Sequence, residues 1–395
     1  MAEIKSFKAL RYNSETIDDI STVIAPPYDV INKEQQESLY ELNEKNVIRI
    51  DLNKEPGDKK YETARIIFEA WQNENLLVSE TEESIYPYYQ KFNYEDNEHE
   101  RIGIVALVKL HEFEDKIILP HEETFSGPKE DRLKLMKACR ANLSPIFGVF
   151  EDSNDLIQRT IIDFIASNKP IIEAESLDGI LNKIWKITDK NIIADIASSF
   201  AEKQILIADG HHRYETSLNL NKEFKTPQSE FTMFYLAPSN QKGLLINPTH
   251  RVLNNVKDFN PIYSSIKDNF IVENCDKINE KDLAPNEFFV VYKKSNVLIK
   301  CKIKNKDLDK FYNMSVFAVQ SNIMNPYKDL YSDIKFFKNF EDTKSSLKND
   351  SVGLILPKFL PQDIMNVVLS NTKMPQKSTY FYPKVATGLL FNKLY

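Results

Sequence analysis

The chain has 395 residues and is 42% hydrophobic, ample for a packed core and too long for one ordinary core, so two lobes are expected. Its formal net charge of −7, with 28% charged residues, excludes the basic field that broad nucleic-acid binding requires, although local basic patches remain compatible with it. Three scattered cysteines (Cys139, Cys275, Cys301) make no metal-ligand spacing, Met1 to Lys5 lacks a signal peptide's apolar core, and no stretch has the apolar length of a membrane span; a soluble cytoplasmic protein is expected.

Phe7 to Tyr12 reads as a first short strand. Val23 to Ile31 holds Pro26 and Pro27, which fix φ and constrain the residue before each. The segment is a stiff extended loop: either a rigid connector or a pocket wall presenting Tyr28 and Asp29. Asn32 is suited to cap a helix beginning at Lys33. Asn46 to Leu52 alternates as a strand does. Tyr61 to Asn75 is helical, with Ala64, Ile67, Phe68 and Trp71 on one face. Two strands, Ser84 to Phe92 and Arg101 to Leu110, form a hairpin about the polar stretch Asn93 to Glu100. The aromatics of the first strand favour cross-strand packing over base stacking.

A dense polar cluster follows Ile118-Leu119-Pro120: His121, Glu122 and Thr124, then the Gly127-Pro128 break. The helix after it runs to about Asn142 and carries Lys129 and Arg132 three apart on one face. This is either an ordinary capped helix with solvated charges or a second wall of a site. Ser144 to Phe150 is a buried strand, and Asp152 to Lys203 reads as helix, strand and helix.

The densest chemistry lies in Ile205 to Leu218. Ile205-Leu206-Ile207-Ala208 is a buried strand, Asp209-Gly210 a sharp turn, and a helix begins at His211. A strand turning directly into a helix offers free backbone N–H groups and the positive end of the helix dipole, a natural seat for phosphate. Gly210 lets a ligand come close to the backbone. Arg213 brings a fork that matches two phosphate oxygens. Each residue has a bland reading as well: Asp209 as N-cap, the histidines as structural residues, Arg213 as one half of an ion pair. Their concentration in five consecutive positions favours an anion or metal.

Beyond it, Phe231 to Ala237 is a strand, and Gly243 to Leu253 is a strand followed by His250-Arg251. His250 is either a turn residue or a further pocket contact, since ligands gather at strand ends in α/β folds. Residues 255–352 read as an added α+β region. Met374 to Lys384 places Lys377, Ser378 and Thr379 between prolines, with aromatics following. So many aromatics argue for a docked segment, where those three residues either bind phosphate or belong to a strand that seals the core.

Ala25-Pro26-Pro27-Tyr28-Asp29-Val30, Ile207 to Thr216 and Met374 to Lys384 together resemble a large bacterial and archaeal family known as domain of unknown function number one thousand and fifteen. His121-Glu122 and Asn142 to Phe147 fit the same pattern, so the likeness spans nearly the whole chain. The Asp209 to Arg213 run is also similar to the ParB and sulfiredoxin-like superfamily, whose free serine kinases carry an Asp-Gly-His-His-Arg run.

These resemblances imply an α+β (mixed α/β) fold: a ParB/sulfiredoxin-like nucleotide-binding core over residues 1–253, with large insertions, and a C-terminal α+β region over 254–395 that returns to the core through 374–384. They further imply that Gly210, His211, His212 and Arg213 hold ATP or ADP, and that Asp209 lies by the transferred phosphoryl group or Mg²⁺. The expected reaction is phosphoryl transfer to a hydroxylated metabolite, free L-serine first. Asp209 and Glu122 are the candidate catalytic and metal-binding carboxylates. Tyr28, Asp29, His121, Thr124, Lys129, Arg132, His250, Lys377, Ser378 and Thr379 are candidate substrate contacts. Two alternatives stand: a metal-dependent phosphohydrolase, and a nucleotide-responsive binding protein without catalysis. Expected partners are a nucleotide and a small molecule, with neither nucleic acid nor membrane; a homodimer is left open.

Overall fold

The computed structural model describes residues 1–122, 126–304, 313–370 and 372–394. It is a mixed α/β chain that divides into two units. Unit 1 takes Met1–Pro120, Thr124–Leu244 and Pro383–Tyr395; unit 2 takes His121–Glu123 and Leu245–Tyr382.

Unit 1 is built on a nine-stranded mixed sheet among the described residues. Its strands are β1 (Ile4–Lys5), β2 (Tyr86–Tyr94), β3 (Asn97–Lys109), β4 (Ile118–Pro120), β5 (Ile146–Phe150), β6 (Ile172–Glu175), β7 (Leu181–Ile184), β8 (Ile205–Asp209) and β9 (Phe231–Pro238). The order is β4-β8-β5-β9-β3-β2-β7-β6, with β1 beside β3. The β4–β8 and β5–β9 pairs are parallel and the rest antiparallel. In β3 every residue from Arg101 to Val108 is buried, which is why that strand reads as one apolar run rather than an alternation.

The helices of unit 1 are α1 (Lys33–Leu42), α2 (Ile48–Asp51), α3 (Lys59–Asn73), α4 (Ser126–Cys139), α5 (Leu156–Ser167), α6 (Lys190–Ser199) and α7 (His211–Phe224). Ile157 and Ile161 of α5, Ile196 of α6, and Tyr214 and Leu218 of α7 join Ile104, Ile146, Ile205, Ile207 and Phe234 of the sheet in one core. Their apolar spacing at three and four is what places these helices on the sheet.

Three local expectations change. Asn46 to Leu52 is not a strand but contains the helical turn α2. The Asn46 side chain accepts from Ile48 N at 2.9 Å and donates to the carbonyls of Thr22 (2.8 Å) and Ile24 (2.9 Å), which fixes a turn start; Val47, Ile48 and Ile50 are buried together. An apolar run this short fits either period. The β2–β3 hairpin is tighter than expected, closing on Glu95 and Asp96, whose φ values of 47° and 62° suit a two-residue turn. Asp152 to Lys203 holds two strands, β6 and β7, between α5 and α6.

Unit 2 carries a six-stranded sheet among the described residues, with β10 (His250–Asn254) paired to Asp333–Phe337 and Val352–Ile355. A helix, Asn260–Asn269, packs with it, and Leu245–Pro248 pairs with Thr379–Tyr382 as a separate ribbon. Among the described residues no helix is long and apolar enough to cross a membrane.

Gly148 of β5 has no room for a side chain: a Cβ there would lie 2.7 Å from Ile205 Cγ2 and 2.9 Å from Leu236 Cδ2. Gly148→Ala is expected to cost about 1–3 kcal/mol, by the usual scale of overpacking, read as a lower urea midpoint at unchanged slope. Full retention of the midpoint would show that the β8–β5–β9 layer yields more readily than this packing allows.

Candidate functional site

The centre of the site is the end of β8. The register with β5 slips between Ile207 and Asp209, a bulge that turns the strand's last side chain away from the regular alternation. Gly210 follows with φ 93°, a conformation costly for a side chain, and is the N-cap of α7. The guanidinium of Arg213 lies only 2.9 to 3.0 Å from where a Cβ on Gly210 would stand. Bulge, glycine and helix start together put Asp209 and Arg213 on one spot, four residues apart.

The charges there are matched closely. Arg213 Nη2 donates to Asp209 Oδ2 at 2.7 Å, and Lys384 Nζ donates to Asp209 Oδ1 at 2.5 Å. Arg213 Nη1 also donates to Ser144 Oγ (3.0 Å) and to the carbonyl of Pro145 (2.5 Å), tying α7 to the lead of β5. Burial by itself raises the Asp209 carboxyl; the positive charges of Lys384 and Arg213, with His211 nearby, overcome this and hold it down to about 2. One anion thus faces two full cations at the positive end of a helix.

Lys384 is itself held by a buried polar network. Arg101, with no exposed surface, donates to Gln90 Oε1 and, at 2.7 Å, to the carbonyl of Pro383. Gln90 Nε2 donates to the carbonyl of Lys384 at 3.1 Å and to Asn182 Oδ1 at 3.1 Å. Tyr88 Oη donates to the same Asn182 oxygen at 2.7 Å. The Arg101 guanidinium lies 4.5 Å from the ring centre of Phe147. These bonds fix the backbone on both sides of the lysine.

A second charged group lies on α4 and its neighbours. Arg132 donates from Nη1 to Asp51 Oδ1 (3.0 Å) and to the Asp51 carbonyl (2.9 Å), and from Nη2 to Asp131 Oδ2 (2.6 Å). Its guanidinium stacks on the Tyr28 ring at 4.0 Å, the fixed angle that the Pro26-Pro27 lead provides. Burial pushes the Tyr28 phenol upward, as does Asp29, against the opposing pull of Arg132 and Arg213. Asp29 is exposed. Lys129 Nζ meets Glu215 Oε2 at 2.5 Å, so this expected substrate contact is an ion pair between α4 and α7. A small cavity of about 30 Å³, partly open to solvent, is lined by both arginines, Arg132 and Arg213, together with Asp51, Ser144, Asn142 and the apolar Leu135, Met136 and Leu143.

The remaining described candidates belong to unit 2. Glu122 Oε1 accepts from Ser378 N (3.0 Å), Thr379 N (3.1 Å) and Thr379 Oγ1 (3.0 Å). His121 Nε2 lies 2.7 Å from Thr379 Oγ1. In unit 2 these four residues therefore staple the 374–382 segment to the His121-Glu122 stretch. Lys377 is exposed, in a left-handed turn with φ 53°. His250 opens β10 and is no turn residue: it is 1% exposed, its Nδ1 accepting from Leu356 N at 3.1 Å. Burial, aided by Arg251, pushes its pKa down to about 4. Thr124 lies outside the described residues.

Two fits can be tested on these atoms. For Mg²⁺, Asp209 fits poorly, because a cationic side chain occupies each of its oxygens. No group of three or more His, Cys, Asp or Glu among the described residues is placed to hold a metal ion. For an anion, the α7 start fits: a helix N-terminus with Gly210 as its side-chain-free cap, and Arg213 and Lys384 beside it. The sequence reading did not single out Lys384, Asp51 or Arg101. Lys384 stood inside a quoted motif, but its partner lies 175 residues away, beyond any local pattern.

The family model described as "Protein of unknown function (DUF1015)" matches residues 4–321. No curated protein matches the chain. Among solved structures, SbnI with a C-terminal truncation from Staphylococcus aureus is 14% identical, covering 73% of this chain and 87% of its own, at a TM-score of 0.42. A conserved hypothetical protein from Pyrococcus furiosus is also 14% identical, over 73% of this chain and 95% of its own, at 0.41. A free serine kinase variant in complex with AMP is 12% identical, over 72% and 92%, at 0.42.

Asp209 is a depressed carboxyl, so its stabilising effect is complete above the ordinary carboxylate pKa and is lost as pH falls from about 4 toward about 2. Lys384→Met removes one of the two cations and is expected to move that loss to higher pH, read as urea midpoints taken across the acid range. Superimposable acid profiles for the variant and the parent would remove the Lys384–Asp209 pair from this role.

Proposed function

The chain belongs to the DUF1015 family, and for this member we propose a nucleotide-dependent phosphotransferase whose phosphate seat is the turn between β8 and α7. One observation carries the reading: Asp209 is gripped by Lys384 and Arg213 at a glycine-capped helix start. Phosphoryl transfer asks little covalent chemistry of a protein. It asks for charge neutralisation and in-line positioning.

In this reading the first-turn N–H groups of α7 and the dipole behind them receive the phosphates of ATP or ADP. His211 and His212 flank that seat. Lys384 and Arg213 supply the charge that builds up on the transferred group, and Asp209 holds both at fixed angles. Asp209 is here an orienting carboxylate rather than a metal ligand. Mg²⁺ commonly accompanies such nucleotides, but no step is routed through it or through Glu122. The acceptor is a hydroxylated metabolite. Free L-serine, giving O-phosphoserine, is the first to test, on the likeness of the Asp209 to Arg213 run to the free serine kinases.

The test is turnover of ATP and ADP against a panel of hydroxylated amino acids and sugars, with phosphorus NMR naming the product. A phosphorylated acceptor is expected, and Lys384→Met and Arg213→Ala are each expected to lower kcat/KM by about 100-fold or more, the scale of losing one charge-stabilising donor. Release of inorganic phosphate alone would replace this reading with a hydrolase. Nucleotide binding without turnover would replace it with a nucleotide-responsive binding protein.

A further inference from the structure

Asp51 is 4% exposed and makes only half the bonds its carboxylate calls for. Oδ1 accepts from Arg132 at 3.0 Å, while Oδ2, also buried, has no donor among the described residues. A buried carboxylate oxygen without a partner carries the full cost of its lost hydration. Burial accordingly raises the Asp51 carboxyl, and the Arg132 and Arg213 charges do not cancel that effect.

Asp51 also lines that small, partly open cavity of about 30 Å³, and a second of about 20 Å³ that shares Arg132 and Leu135 with it. In the larger one the walls are Leu135, Met136, Leu143 and Ile146. Much of the polar lining is already satisfied. Ser217 Oγ bonds Thr232 Oγ1 at 2.9 Å, Asn142 Oδ1 accepts from Asn392 at 2.8 Å, and Ser144 Oγ accepts from Arg213. The unmet demand at Asp51 is for a donor. Water would meet it in part; a cationic donor would meet it fully and neutralise the carboxylate.

We propose that unit 1 binds a small primary amine in this cavity, its ammonium group on Asp51 Oδ2 and its short carbon skeleton against Leu135, Met136 and Leu143. This names an acceptor class for the phosphotransferase reading, a hydroxylated amine, and in that respect rests on it. The seat itself stands on Asp51 and the cavity. Arg132 completes the site by holding Asp51 and countering its charge, and Asp131 in turn holds Arg132.

The test compares amines with matched compounds lacking nitrogen: ethanolamine against ethylene glycol, and serine against glycerate. Binding to the full chain is measured by calorimetry and ligand-observed NMR, without nucleotide. At least a tenfold preference for each amine is expected, and Asp51→Asn is expected to abolish the preference. A cavity-filling Met136→Trp variant, which leaves both charges of the Asp51–Arg132 pair in place, is expected to weaken amine binding as well. Equal affinity for amine and deaminated partner, or no binding of either, overturns the proposal; that comparison needs only the parent protein. Amine binding without phosphoryl transfer would sustain this seat while the phosphotransferase reading fell. Transfer to acceptors lacking nitrogen would do the reverse.

Discussion

A single buried carboxylate with two cations on it organises unit 1. Asp209 joins the end of β8, the start of α7 through Arg213, and the C-terminal segment through Lys384. Taking a carboxylate out of water is expensive, and a lone cation beside it often fails to compensate. Two cations outweigh burial, so the carboxyl is held low where burial alone would raise it. The excess positive charge sits at the end of a helix whose dipole has the same sign. Positive charge gathered at such a place is the physical argument for the phosphate seat proposed above.

The support beneath the cluster is as specific as the cluster itself. A lysine on a four-carbon stem is a loose point charge unless its backbone is fixed. Here the carbonyls of Pro383 and Lys384 are claimed by Arg101 and Gln90, and Gln90 in turn by Asn182. Arg101 is fully buried, over the ring of Phe147. Burying a guanidinium to hold two carbonyls is a poor bargain for stability alone. It is a good one for holding a neighbouring ammonium within hydrogen-bond reach of a carboxylate.

Local pattern made some of this legible and hid the rest. The strand–turn–helix at Ile205 to Leu218 was readable because an apolar run, a glycine and a helical face follow one another without a gap. The Arg213 partner Asp209 was readable too, four residues away on the same turn. Lys384 and Arg101 were not, since what gives them meaning is pairing across the fold. Asp51 was hidden differently: it closes an apolar run that fits a strand as well as a helical turn, and only the Asn46 side chain decides between them. His250 is a different case: its neighbours suggested a strand end, and it does open β10, but its ring nitrogen is taken by the backbone of Leu356.

The division of the chain has a consequence for biosynthesis. Unit 1 is interrupted by residues 245–382 and completed only by those that follow. The completing segment does not sit idle at the surface. Thr387 bridges to Ala25, Phe391 to Leu10, and Asn392–Lys393 pairs with Ala141–Asn142. A ribosome therefore delivers all nine strands of the sheet, the bulge and α7 long before it delivers the lysine that pairs with Asp209. Until residues 383 and 384 leave the exit tunnel, the nascent unit holds a half-answered carboxylate and an arginine lacking its Pro383 acceptor. The fold's final stitch and the site's final charge arrive in the same stroke, so a prematurely released chain would be unfinished in both at once.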